Sequence, residues 1–306
     1  MLFDREGIDI NTFRKKLMAE GHESGLEKFK NEIIELNMYN SIFVDCTAND
    51  QAAGLYAELL NANISIVTAN KVAASSDYEN YALLKKTAKR KGAKFLFETN
   101  VGAGLPIITT LNDLVNSGDT ILKIEAVLSG TLNFIFNTIS DKVPLSQTIR
   151  MAKDQGYAEP DPRIDLSGVD VARKLLILVR ESGYEFEMKD IKITPFISSK
   201  YFEGSVDDFW KTIPEMDKEF EAKRKTLAAE GLYWRFVAKF ENGKAEIGLQ
   251  EINSIHPFAD LQGSNNLVMF TTERYHEFPM IIKGYGAGAV VTAAGVFADI
   301  IRVSNI

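Results

Sequence analysis

Between residues 42 and 97, three short apolar runs alternate with two helix-length segments, and few folds accept that order. Ile42-Phe43-Val44, Ile64-Ser65-Ile66-Val67 and Phe95-Leu96-Phe97 read as strands. Residues 50–61 and 77–91 read as helices, the second opened by Asp77 and stopped by Gly92. A further helix over 25–39 precedes them, with Leu26, Phe29, Ile33, Ile34 and Leu36 on one side. Strands and helices in this alternation predict a parallel sheet. The strands are apolar on successive residues, as when both faces are covered. In such sheets ligands gather beyond the carboxyl ends of the strands. Here those ends carry Thr47, Lys71 and Glu98. Polar residues follow many strands, and three such ends in succession leave that reading and a binding site both open.

After Gly118 the pattern changes. A strand is expected over 121–128, with helices near 131–140, 145–155 and 167–182. A charged amphipathic helix covers 214–229. Strands follow near 232–241, 244–252, 266–274 and 279–283, then a helix over about 289–303. This part reads as α+β on a largely antiparallel sheet.

The chain has 306 residues, enough for two domains. Thirty-five lysines and arginines face 42 acids, and the net charge of -7 argues against nucleic acid or an anionic membrane as partner. Cys46 is the only cysteine, so no internal disulfide forms, which fits a cytoplasmic location. No stretch reaches the roughly 20 apolar residues of a membrane span. Met1 to Arg14 lacks the apolar core of a signal peptide. His22, His256 and His276 form no spaced pair suited to zinc.

The segment Gly156-Tyr-Ala-Glu159-Pro160-Asp161-Pro162-Arg163-Ile164-Asp165-Leu-Ser167-Gly168-Val-Asp170 leads into Val-Ala-Arg173-Lys174. Two prolines hold 159–162 extended and present Glu159 on a stiff loop. Ser167 or Asp165 is expected to cap the following helix. Asp170 and Lys174 stand four apart and share a face. The rest of that helix, from Val169 to Val179, is apolar nearly all round and should be buried. A carboxylate and an ammonium on a buried helix must pair. That pair is either a structural salt bridge or a lysine held in a cleft as proton donor. Glu159, Asp165 and Asp170 near one lysine suit a small zwitterionic substrate, an amino acid.

This segment resembles the signature of homoserine dehydrogenases. The resemblance continues in Thr68-Ala-Asn-Lys71, Asn100-Val-Gly-Ala-Gly-Leu-Pro106 and Leu128-Ser-Gly-Thr-Leu-Asn133. It returns in Gly284-Tyr-Gly-Ala-Gly288 and Val291-Thr-Ala-Ala-Gly-Val296. Asp45-Cys-Thr47 and Val296-Phe-Ala-Asp299 are most similar to the C-terminal half of bifunctional aspartokinase–homoserine dehydrogenases, which implies fusion to an aspartokinase. The resemblance implies reversible, NAD(P)H-dependent reduction of L-aspartate 4-semialdehyde to L-homoserine, on the route to threonine, methionine and isoleucine. NADP is the implied cofactor, with NAD possible.

Position by position, it implies Lys174, Lys71 and Asp170 as catalytic residues. Glu159, Asp165, Asp170 and Lys174 match substrate contacts, and Thr47, Lys71 and Gly288 match cofactor contacts. Glu98, Val101, Ala103 and Leu105 match a site for a monovalent cation such as sodium, mostly through backbone carbonyls. A tight glycine turn is the other reading of that loop. A homodimer through the catalytic-domain sheet is implied. Where family members carry an acid, this chain has Ile164.

The expected fold class is therefore α/β plus α+β. Residues 1–117, completed by 284–306, form a partial NAD(P)-binding domain with a Rossmann-type parallel sheet. Residues 118–283 form an α+β catalytic and dimerisation domain on an antiparallel-rich sheet. The first forty residues hold no strand–Gly-x-Gly-x-x-Gly–helix turn, which is where a dinucleotide's pyrophosphate sits. Gly284, Gly286 and Ala289 match its letters, but too little chain follows them. The expectation is a sheet lacking its first βαβ unit, and impaired cofactor binding. Two other readings remain at this point. One uses Cys46 as nucleophile, against a buried structural cysteine. The other is a catalytically dead assembly fragment that keeps the dimer contact.

Overall fold

The computed structural model describes residues 1–304. Residues 305 and 306, the end of the segment expected to complete the first domain, lie outside the described residues. Two helices open the chain, α1 (Phe13–Glu20) and α2 (Leu26–Leu36). Then come β1 (Ile42–Asp45), α3 (Asp50–Gly54), α4 (Tyr56–Asn61), β2 (Ser65–Thr68), α5 (Tyr78–Lys91) and β3 (Phe95–Leu96). The three strands form a parallel sheet in the order β1-β2-β3. Only β2, in the middle, is buried at every residue, and Val44 of β1 is exposed. The expectation that both faces of each strand are covered thus holds for β2 alone.

The single helix expected over 50–61 is broken at Leu55. Asn49 caps α3 by accepting the N–H groups of Gln51 and Ala52, and Gly54 weakens its end. The chain restarts at Tyr56, whose buried hydroxyl donates to Asp45 at 2.6 Å. The third strand stops one residue early, because Phe97 turns into a 3-10 turn at Glu98–Asn100.

The second part begins with α6 (Ile107–Asn116) and β4 (Ile121–Val127). Helices α7 (Gly130–Thr138), α8 (Leu145–Asp154), α9 (Arg163–Leu166) and α10 (Val169–Glu181) follow. Next are β5 (Ile191–Ile193), α11 (Val206–Thr212) and α12 (Asp217–Ala229). Strands β6 (Leu232–Glu241), β7 (Lys244–Asn253), β8 (Asn265–Thr272) and β9 (Met280–Tyr285) lead to α13 (Ala289–Ser304). The helix expected from 214 starts as a 3-10 turn over Ile213–Met216, with Pro214 in its first turn, where a missing N–H costs little.

The larger sheet has six strands in the order β5-β7-β6-β4-β8-β9. Its pairs are antiparallel except β5 with β7. The architecture is α/β plus α+β, the class that the sequence pattern implies. Helices α7, α10 and α12 pack on β6, and α10 is buried from Leu175 to Glu181. Phe258 and Leu261 cover the other face over Val127, Val237 and Leu267. The last helix returns to the parallel sheet, with Val296 and Val303 against Val67 of β2. Gly104 makes this possible: a Cβ there would lie 2.4 Å from the Val291 carbonyl oxygen. Among the described residues no helix is long and apolar enough to cross a membrane.

Candidate active site

Helix α10 begins at Val169, two residues later than the sequence suggests. Neither expected residue holds the capping position: Gly168 stands there, at φ 73°. A Cβ on Gly168 would approach the Phe236 ring to 2.9 Å, so the left-handed residue also lets the helix start close to β6. Ser167 accepts the Val169 N–H at 3.2 Å. Val169 itself is exposed, so the first turn of α10 leaves the core and carries Asp170 to a cavity.

Asp170 is the centre of an ion triad. Its Oδ2 lies 2.7 Å from Lys174 Nζ, and its Oδ1 lies 3.4 Å from Lys71 Nζ. Burial opposes ionisation of Asp170, but the ammoniums of Lys174 and Lys71 outweigh it and hold the carboxyl down to about 2. Lys174 donates a second hydrogen bond to the Leu128 carbonyl at 2.8 Å. The same carbonyl accepts the Asn266 amide at 3.3 Å. An ammonium has three donors, so Lys174 keeps one.

That donor has a cavity beside it. A space of about 330 Å³ is lined by Lys174, Asp170, Asp165, Ser129, Thr131 and Gly286 to Gly288, among others. Asp165 accepts from Thr131 Oγ1 at 3.0 Å and from the Glu159 N–H at 2.9 Å. Burial pushes the Asp165 carboxyl up, only partly offset by those two bonds, and the charges of Glu159 and Asp170 add to the rise. Gly286 is required where it stands, because a Cβ there would overlap the Asn266 side chain at 2.0 Å. The closed interior salt bridge is thereby excluded: the pair is joined by a third charge and opens on a cavity.

The expected substrate contacts divide. Asp165, Asp170 and Lys174 converge, whereas the Glu159 side chain is left in solvent. Its backbone N–H is held by Asp165, and among the described residues its carboxylate accepts no hydrogen bond. Of the expected cofactor contacts, Lys71 reaches Asp170 and Gly288 lines the cavity at the start of α13. Thr47 stands outside it at the tip of β1, its N–H held by Asp45 at 2.8 Å. Asn70, next to Lys71, donates to Asp45 at 3.1 Å, so the tips of β1 and β2 are tied together. Thr131, Ser129 and Asn266 were not singled out from the sequence. The signal for the first two was the Leu128-Ser-Gly-Thr run itself, which assigns no partner.

Glu98 is buried, and its carboxylate caps α6. It accepts the N–H groups of Ile108 at 2.7 Å and Thr109 at 2.9 Å, and also the Thr109 hydroxyl. Burial still holds this carboxyl above its ordinary range. The Arg302 guanidinium also lies 3.4 Å from this carboxylate. Gly102 and Ala103 both adopt positive φ, 77° and 54°, in the loop that follows. The carbonyls of Val101 and Ala103 accept no hydrogen bond among the described residues, while that of Leu105 accepts from Ile107.

Cys46 is exposed in the turn after β1, not buried as the structural reading required. Partial burial, then the Asp45 charge, push its thiol up, the wrong direction for a nucleophile. A larger cavity of about 510 Å³ opens between α12 and β6–β7. Its aromatic floor includes Phe196, Phe220 and Trp234, and Lys223 is paired with Glu219 at its rim.

Residues 6–98 match the family model described as "Homoserine dehydrogenase, NAD binding domain", and residues 106–301 match that of homoserine dehydrogenase. A bifunctional aspartokinase/homoserine dehydrogenase of Haemophilus influenzae is 39% identical over 99% of this chain and 37% of its own length. A homoserine dehydrogenase of Schizosaccharomyces pombe is 41% identical over 87% of this chain and 73% of its own. The chain thus spans about a third of the bifunctional relatives. A hyperthermophilic archaeal homoserine dehydrogenase solved in complex with NADPH superposes with a TM-score of 0.72 at 26% identity, covering 96% of this chain and 82% of that one. None of these matches favours an inert assembly fragment. Two family models between residues 6 and 301, and a relative 41% identical across most of its length, make this chain a member of the homoserine dehydrogenase family.

Proposed function

We propose that the cavity beside Lys174 reduces L-aspartate 4-semialdehyde to L-homoserine, reversibly, with NADPH as hydride donor. The observation that carries this is the Lys174 ammonium, fixed by Asp170 and the Leu128 carbonyl, with one donor left toward the cavity. A nicotinamide bound between the β2 tip and Gly288 would supply hydride to the aldehyde carbon. Lys174 then stabilises the negative charge growing on the aldehyde oxygen and delivers a proton to it. Asp170 keeps two ammoniums beside the reacting centre and orients the nearer one. Asp165 and Asp170 receive the substrate's amino group, and Glu159 joins them at the rim. Lys71 serves substrate and cofactor from the other side, and Thr47 with Gly288 flanks the cofactor.

Lysines and carboxylates around one polar cavity suit a small zwitterion, an amino acid carrying an aldehyde. The NADPH preference rests on the resemblance and on the archaeal relative's bound cofactor. A monovalent cation would be held by the carbonyls of Val101 and Ala103, with those of Glu98 and Leu105 at the margin. It would fix the loop between β3 and α6, and no step runs through it. The domain limits 1–117 with 284–306 and 118–283 are part of this reading. We further infer a homodimer through the six-stranded sheet, an aspartokinase fused in the parent protein, a cytoplasmic location, and a place in threonine, methionine and isoleucine synthesis.

Mixing the protein with the semialdehyde and excess NADPH, without phosphate, should oxidise NADPH and yield homoserine. Alkylating Cys46 should leave the rate unchanged. No NADPH oxidation, or dependence on phosphate and on the Cys46 thiol, would refute the assignment.

A further inference from the structure

Lys71 and Asp170 come from distant parts of the chain, yet a 3.4 Å contact joins them. Lys71 lies in the loop between β2 and α5, and Asp170 in the first turn of α10. Their distance depends on how that loop is held against that helix. Toward the other end of α10 stands Arg180, whose side chain is fully buried. Its Nη1 donates to the carbonyls of Ala74 at 3.1 Å and Ser76 at 2.6 Å. Its Nε donates to the Phe186 carbonyl at 2.9 Å, and Nη2 to Glu187 Oε2 at 3.0 Å. The other Glu187 oxygen accepts the N–H of Tyr78, the first residue of α5, at 2.9 Å. The rings of Tyr78 and Tyr81 lie 5.7 and 5.3 Å from the guanidinium carbon. Glu181 adds bonds from the Tyr81 hydroxyl and from Lys85.

The loop under Arg180 is itself a tight unit. Ser75 donates to the Lys71 carbonyl through both its N–H, at 2.9 Å, and its hydroxyl, at 2.8 Å. The Ser76 hydroxyl donates to the Ala73 carbonyl at 2.7 Å. A displacement at 74–76 is therefore carried to Lys71. Burying a guanidinium is costly, and an apolar side chain of like volume would hold a purely structural junction as well. What an apolar residue cannot do is grip two carbonyls of one turn with a fork of fixed geometry.

We propose that Arg180 is a positioning residue for the active site: by fastening the carbonyls of Ala74 and Ser76 to α10, it sets the distance between Lys71 and Asp170, and with it the charge arrangement around Lys174. The proposal rests on the reading of the cavity as the hydride-transfer site. Arg180→Met keeps the bulk and removes every donor, and Arg180→Lys keeps the charge and loses the fork. Three readouts test them in the full chain.

The first is kcat for semialdehyde reduction. It should fall roughly 10-fold in Arg180→Met with KM for NADPH little changed, and recover in part in Arg180→Lys. The second is the same substitution in a Lys71→Met background. There it should cost almost nothing further, since the residue it acts through is gone. An equal loss in both backgrounds, or a loss that merely follows the folded fraction, overturns the proposal.

The third needs no turnover: carbon-13 NMR titration of the Asp170 carboxyl, which faces Lys174 on its own helix, Lys71 from the β2–α5 loop and Asp165 from α9. Its midpoint should rise toward the ordinary carboxylate range in Arg180→Met as Lys71 moves away. If the parent chain reduces no semialdehyde but the midpoint rises, the functional reading fails and the positioning role stands. If the parent chain is active and the midpoint does not move, the positioning role fails. Should Arg180→Met not fold, Arg180→Lys carries the same readouts, with smaller shifts of the same sign.

Discussion

Replacing Lys174 with methionine should lower kcat for semialdehyde reduction by roughly 10²- to 10⁴-fold, the range for losing a general acid. KM for the semialdehyde should change only a few-fold. Methionine keeps the bulk of lysine's apolar stem and lacks only its terminal ammonium, so α10 keeps its packing. What goes is one charge and three donors. Two of those hold Asp170 and the Leu128 carbonyl, and the third faces the cavity. The third is needed only when negative charge develops on the substrate oxygen, so its loss falls on the chemical step. Arginine at the same position would keep a charge but could not release a proton at neutral pH, and should not rescue the rate. Steady-state kinetics of the purified variants check both statements. A methionine variant with unchanged kcat and a raised KM would make Lys174 a binding residue only.

Asp170→Asn is the second large effect, and it acts differently. The carboxylate sits between two ammoniums at 2.7 and 3.4 Å. An amide of the same size cannot neutralise them. Lys71 and Lys174 then repel each other without a shared anion, and Lys174 loses the group that aims it. A drop in kcat of about 10²-fold follows, the scale of a small misplacement at the reacting centre. KM for the amino-acid substrate should rise as well, because one of the three carboxylates proposed to receive its amino group is gone.

The same substitution has a signature in stability. The Asp170 carboxyl is held at about 2 when folded, below the ordinary Asp value near ~3.9. A depressed carboxyl stabilises the native state above its unfolded pKa and ceases to as pH falls through the folded one. The parent protein should therefore unfold at a higher temperature than Asp170→Asn at neutral pH. That gap should close as pH drops from about 4 toward 2. Parallel melting curves across this range measure it. A gap that persists in acid would mean that asparagine harms packing and not the ion triad.

The parts of this site that are legible in the sequence are local. The four-residue spacing of Asp170 and Lys174 puts them on one face, and the apolar stretch around them implies a buried helix. Strand ends at 47, 71 and 98 are marked by apolar runs giving way to polar residues. What is not legible depends on contacts far along the chain. Asn266 meets the Lys174 site through the Leu128 carbonyl, 138 positions away. Arg180 reaches Ala74 across 106. No periodicity encodes such pairs. Glu98 illustrates the reverse: its place at a strand end is correctly read, but only packing reveals that its carboxylate caps α6. Short elements fail for a related reason. β5 has three residues and α11 seven, too few for a pattern to emerge, and both owe their form to neighbours. The break at Leu55 hides because its one mark, Gly54, can also stand inside a helix at modest cost.

The proposed role of Lys174 is to serve hydride transfer to a bound aldehyde. The direct test is a single turnover with NADPH deuterated at the transferring position of its nicotinamide ring, saturating over the protein, in the parent chain and in Lys174→Met. That role predicts homoserine carrying one deuterium on the former aldehyde carbon, formed at least ~10²-fold more slowly by the variant although both bind the cofactor alike. Unlabelled homoserine from the parent chain, or equal transfer rates in the two proteins, would contradict it.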